Sequence, residues 1–188
     1  MGVGDGRVER TLGERNRWVL MGTNVDELAL KLKSGEELAY AEVLQLAEDA
    51  ILGESELELM VNEEFPVDED SESIPDFQRL LHIACLQQNS ITEELVSQIL
   101  ENALDDGDPD DVFPYWWEVI ELSIGSKKLS SELVSRLLTE ILLNDYEDEI
   151  LPEMQLRLIE KLTANFDVPD EFTNKIKKTI KNLRSSID

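Results

Sequence analysis

The chain is poor in the side chains that carry out most protein chemistry. Among its 188 residues it has one cysteine, Cys85, and one histidine, His82. A single thiol excludes an internal disulfide framework and permits a reducing compartment. A single imidazole argues against most zinc sites, which draw on several cysteines and histidines together. Long apolar runs are missing too: nothing approaches the ~20 apolar residues of a membrane span, and the N-terminus has no signal-peptide core. Gly2 invites a myristoylation reading, but that pattern wants serine or threonine where this chain has Gly6. These absences lead to the expectation of a soluble cytoplasmic protein with no cofactor, no metal, no membrane contact and no enzymatic activity.

Bases are the other scarce group. Lysine and arginine number 17 against 42 aspartates and glutamates, for a net charge of −25. The imbalance is localised, because residues 24–169 hold 36 acids and 8 bases, whereas residues 1–23 and 170–188 are slightly basic at +1 and +2. A protein of this length can bury about 70% of the surface its unfolded chain exposes, so it needs no staple.

What the chain has is a repeat. Glu94 to Leu100 reads ELVSQIL, and Glu132 to Leu138, 38 residues on, reads ELVSRLL. The same frame lands on Glu56-Leu57 upstream and Glu171-Phe172 downstream, at intervals of 38 and 39 residues. Self-similarity at this period marks stacked helical units. Four units follow, at 36–73, 74–112, 113–150 and 151–188, each with two helices. In the first helices the columns are Ala39, Phe77, Trp116, Met154; Val43, Leu81, Ile120, Leu158; and Ala47, Cys85, Ile124, Leu162. In the second helices they are Leu57, Leu95, Leu133, Phe172; Val61, Ile99, Leu137, Ile176; and Phe65, Ala103, Ile141, Ile180. Every position is apolar, and the i, i+4, i+8 spacing places each set along one stripe of a helix. Pro75, Pro114 and Pro152 recur at the expected starts of first helices, where a missing N–H costs nothing.

Upstream of the repeats, residues 1–23, with Arg7, Arg10, Arg15 and Arg17, read as a flexible arm. Asn24 caps a short helix through Lys33 that should cover the open end of the stack. Ser34-Gly-Glu-Glu reads as a capping box that starts the next helix. The expected fold is all-α: a short right-handed α-solenoid of about four two-helix repeats with an N-terminal capping helix, residues 24–188 forming a single domain.

With its two-helix unit, its period and a proline early in the first helix, the chain resembles HEAT and armadillo-type repeat proteins. It lacks the aspartate and arginine ladder found between many HEAT units. The resemblance implies protein binding in general. In compact size, strong acidity and absence of catalytic motifs it is also similar to immunity proteins of bacterial toxin systems, which implies tight binding and neutralisation of one basic partner, a toxin or nuclease.

Acid collects between the units. The first linker carries Asp68, Glu69, Asp70 and Glu72; the second carries Asp105, Asp106, Asp108, Asp110 and Asp111; the third carries Asp145, Glu147, Asp148 and Glu149. Stacking would align these on one edge with almost no balancing lysine or arginine in the linkers. Such an edge can steer a basic partner; the competing reading is that it only keeps the protein soluble. Tyr115 and Trp117 follow the second linker. They fall in mixed columns, Leu38, Asp76, Tyr115, Glu153 and Tyr40, Gln78, Trp117, Gln155, which face solvent or a groove, and they complete the expected binding site. The second linker lacks the order of an EF-hand loop. His82, in a column with Leu44, Glu121 and Ile159, reads as a boundary residue, and Cys85 as core. Lys175, Lys177, Lys178 and Lys181 read as the solvated face of the last helix; direct nucleic-acid binding is not expected, because the body repels phosphate. The alternatives to a basic-partner inhibitor are an adaptor that links two proteins and a DNA mimic.

Overall fold

The computed structural model describes residues 24–68, 70–105, 109–143 and 152–187, with backbone alone for 109–114 and 143. The N-terminal arm and the third linker lie outside the described residues. Nine α-helices are present among them: α1 (Val25–Ser34), α2 (Tyr40–Asp49), α3 (Glu54–Val61), α4 (Phe77–Leu86), α5 (Glu93–Asp105), α6 (Pro109–Ser126), α7 (Ser131–Leu143), α8 (Pro152–Asn165) and α9 (Asp170–Ile187). Among the described residues the one β pairing is an isolated parallel bridge between Leu38 and Val67.

Local chemistry sets the helix ends. Asn24 opens α1 by accepting the Asp26 N–H at 3.1 Å. Gly35, at φ +72°, closes it: the Gly35 N–H donates to the Leu32 carbonyl and the Glu36 N–H to the Lys31 carbonyl. Left-handed backbone is cheap only without a Cβ, so this termination overrides the expected capping box. Ser34 therefore ends α1, its hydroxyl donating to the Lys31 carbonyl at 3.0 Å, and does not begin a helix. The start of α2 falls later, where the Glu42 carboxylate accepts the Ala39 N–H at 3.0 Å. Before α5 and α7, Thr92 and Ser130 cap with their hydroxyls, accepting the Leu95 and Leu133 N–H groups at 3.3 and 3.2 Å.

Two further boundaries differ from expectation. Helix α6 begins at Pro109, so Asp110 and Asp111 belong to its first turn and not to a linker, and Pro114 falls inside the helix instead of opening it. Proline at the first position with acidic residues following it favours a start there. Leu38, expected at a solvent-facing column, is fully buried. Its N–H donates to the Pro66 carbonyl and its carbonyl accepts the Asp68 N–H, both at 3.0 Å, which draws the strand-like segment into the core.

The six apolar columns form that core. Twenty of their members are buried, and the other four, Ala39, Phe77, Met154 and Ile180, are half-buried. A further column, missed in the sequence, precedes the second helices: Leu52, Ile91 and Leu129 are buried and Val168 half-buried, each next to a helix start, the place of a hydrophobic staple. Phe65 reaches the core from the loop after α3, which ends at Val61. Helix α1 packs on α2; α2 packs on α4, α4 on α6 and α6 on α8, while α3 packs on α5 and α7 on α9.

Side chains of later units also reach the backbone of earlier ones. The Gln88 amide donates to the carbonyls of Ala47 and Ala50 at 2.7 and 3.0 Å, and the Asn165 amide donates to the Ile124 carbonyl at 3.4 Å. Gln88 and Asn165 stand three residues after Cys85 and Leu162, and their acceptors Ala47 and Ile124 belong to that same column. Two junctions thus share one rung. A second rung repeats as well: Ser90 donates to the Leu52 carbonyl and Lys128 to the Ile91 carbonyl, each donor preceding a staple residue. The last carbonyls of a helix have no partner within it, and the Gln88 and Asn165 rungs supply them.

Candidate partner-binding surface

Asp76 and Tyr115 occupy one column in adjacent units, and the structure joins them. The Tyr115 hydroxyl donates to Asp76 Oδ1 at 2.9 Å. Asp76 has left-handed backbone, φ +61°, immediately before α4, and Arg79 on that helix reaches back to its other carboxylate oxygen at 3.3 Å. The same guanidinium lies over the Tyr115 ring, its carbon 5.3 Å from the centroid. The Trp116 ring meets the edge of Tyr115 at 5.2 Å and is itself buried. Burial first, then the bond to Asp76, raises the phenol of Tyr115 above its usual range.

Tyr115 remains 42% exposed, an aromatic held on three sides at the surface. It follows Asp111 by four residues in sequence, as Asp76 follows Glu72, so the hydrogen bond joins two residues that each come just after an acidic segment. Trp117, expected to face solvent or a groove, is half-buried on α6 and packed against the core.

The acidic residues themselves are distributed unevenly. Asp70 and Glu72 are exposed; Asp68 is half-buried, its carboxylate accepting the Asp70 N–H at 3.0 Å in a tight turn. Asp105 ends α5 and is paired with Arg136 of α7. So one linker carboxylate does have balancing charge, and it comes from a neighbouring helix, which a linear reading of the linkers cannot see. Glu69, Asp106, Asp108, Asp145, Glu147, Asp148 and Glu149 lie outside the described residues, and for Asp110 and Asp111 only the backbone is described.

His82 corrects another expectation. It is fully buried and not at the boundary, its ring 6.0 Å from that of Trp116, and neither ring nitrogen has a hydrogen-bond partner. Burial lowers its pKa to about 4, so the imidazole is neutral. The Trp116 ring, one unit later, lies tilted by 33° to the imidazole. Cys85 is core, as its column requires, and burial pushes its thiol up to about 12, which leaves it without nucleophilic character near neutral pH. Glu121, in the His82 column, is held by both Arg157 and Lys161 of α8. On α9 the four lysines are exposed, opposite buried Phe172 and Ile176.

Among the described residues no group of three or more histidines, cysteines, aspartates or glutamates is placed to hold a metal ion, and no helix is long and apolar enough to cross a membrane. No family model, curated protein or solved structure matches the chain.

Proposed function

We propose that the protein is a short right-handed α-solenoid of four two-helix units that binds a basic partner protein in the cytoplasm and neutralises it, in the manner of an immunity-type inhibitor. The buried columns, the contacts between successive units and the shared rungs support the repeat reading. One observation carries the functional one. Six of the eight bases in residues 24–169 are committed to internal ion pairs: Lys31 to Glu42, Lys33 to Glu56, Arg79 to Asp76, Arg136 to Asp105, and Arg157 and Lys161 to Glu121. A seventh, Lys128, is bound to a backbone carbonyl. With 36 acids against 8 bases in the same span, most of its carboxylates cannot be balanced by bases of that span. An external polycation answers that surplus, and a protein with a basic face does so with geometry as well as charge.

The test is to identify what the tagged protein captures, purify it and titrate the pair at two salt concentrations. A basic protein whose Kd weakens about tenfold or more between roughly 50 and 500 mM salt, and whose own activity stops at saturation, supports the reading. A partner that stays active in the saturated complex points to an adaptor and refutes neutralisation. An acidic partner refutes the electrostatic basis.

A further inference from the structure

We propose that Asp76 and Tyr115 form a receptor for one arginine of the partner, and that Arg79 occupies this receptor in the free protein as a displaceable stand-in. The inference rests on the basic-partner reading and names its point of contact.

A guanidinium is recognised best by a carboxylate that meets its fork and an aromatic face that takes its plane. Both are present here and both are rigid. Asp76 is fixed by its own backbone, whose carbonyl accepts the Leu80 N–H at 3.0 Å, and by the Tyr115 hydroxyl. Tyr115 is fixed by helix α6, by that hydroxyl and by the edge of Trp116.

Arg79 fills the receptor incompletely. It reaches the carboxylate through one nitrogen at 3.3 Å, long for a charge-assisted bond, and not through a two-nitrogen fork. Its Nε is buried with no acceptor. Both shortfalls follow from its position three residues along α4, where the side chain must double back to reach Asp76. An arginine arriving from another chain has no such tether. Meanwhile Tyr115 keeps 42% of its surface open with Arg79 in place, so the site can be approached. Arg79 also places a positive charge at Asp76, a few residues in sequence after the exposed acids Asp70 and Glu72. Its departure would leave the surface more attractive to a cation, so the guest gains what the stand-in gives up.

The consequence is that weakening Arg79 should strengthen binding. The probe is a peptide of seven arginines, with a seven-lysine peptide for comparison, followed by fluorescence anisotropy. Arg79→Gln is expected to bind the arginine peptide about three- to tenfold more tightly than the wild type, the range that loss of one exposed ion pair and one cation–π contact allows. The lysine peptide should gain less, having neither fork nor plane. Arg157→Gln makes the same change in net charge on α8 and reports the generic effect; the gain from Arg79→Gln must exceed it. Adding Tyr115→Ala to Arg79→Gln should remove the excess. Equal or weaker binding by Arg79→Gln, with the wild type still binding, overturns the stand-in alone. If no variant binds the arginine peptide at low salt, the basic-partner reading falls with it. Circular dichroism on each variant separates these outcomes from unfolding.

Discussion

Replacing His82 with leucine should stabilise the protein, and stabilise it more in acid. The imidazole is fully buried, beside Trp116, with both nitrogens unpartnered. In the equivalent positions of the first and last units stand Leu44 and Ile159, both buried, so the site is built for an aliphatic residue. A buried donor without an acceptor costs about 1–3 kcal/mol, which leucine would recover at neutral pH. The pH dependence adds to this. Burial depresses the His82 pKa to about 4 in the folded protein, against 6.5 for the exposed group. As pH falls below 6.5 the unfolded chain takes up a proton that the folded chain refuses, so stability is lost progressively from 6.5 down to about 4. At about pH 5 the loss from this residue is roughly 2 kcal/mol.

Carboxylates titrate in the same range, and relief of self-repulsion acts in the opposite direction. The quantity to measure is therefore the difference between the wild type and His82→Leu at each pH, in which that shared contribution cancels. Urea unfolding followed at the helical circular dichroism band, at about pH 7.5 and about pH 5, should show the variant ahead at both and the gap widening by roughly 2 kcal/mol. A constant gap would mean the imidazole is not shielded from protons. A variant less stable at both values would mean that its nitrogens have partners worth more than leucine's packing.

Leu133→Ala and Ile120→Ala should each destabilise by about 2–5 kcal/mol, being buried members of two different columns, while half-buried Ser97→Ala should cost little. Equal shifts in denaturant midpoint for the three would contradict the columns. Gln88→Ala should cost about 1–3 kcal/mol by leaving the carbonyls of Ala47 and Ala50 without that donor, whereas Gln87→Ala, on the exposed residue beside it, should be near neutral. Added salt should raise the melting temperature, since a net charge of −25 repels itself and ions screen that repulsion; a flat response to about one molar would refute the argument from net charge.

How much of this could be read from the sequence depended on how local the cause was. The apolar columns were legible because helical periodicity and the repeat interval state the same positions twice, and Leu57, Leu95, Leu133 and Phe172 are all buried as aligned. The start of α2 was not, because Ser34 and Gly35 carry opposing signals side by side and the glycine prevailed. Leu38 was lost to a partner, Val67, that no nearby pattern announces. His82 looked like an edge residue because its column also holds Glu121; in the structure it is fully buried, beside Trp116 from the next unit. At the candidate surface the alignment put Asp76 and Tyr115 in one column, but Arg79 joins them by doubling back along its own helix, a side-chain path that spacing does not specify. The rungs escaped because their donors are a glutamine, an asparagine, a serine and a lysine, which share no residue type.

The chemistry of the rungs matters for more than this chain's own stability. Each rung ends on a main-chain carbonyl, which every residue possesses, so substitution of the acceptor side chain leaves the acceptor intact. The donor needs only an N–H or O–H within reach. A junction built this way constrains one residue loosely and its counterpart hardly at all, and units joined by it can drift apart in sequence without separating in space. ELVSQIL and ELVSRLL stay nearly identical amid units whose other likenesses are a hydrophobic pattern and a recurring proline, a divergence that joints of this kind tolerate.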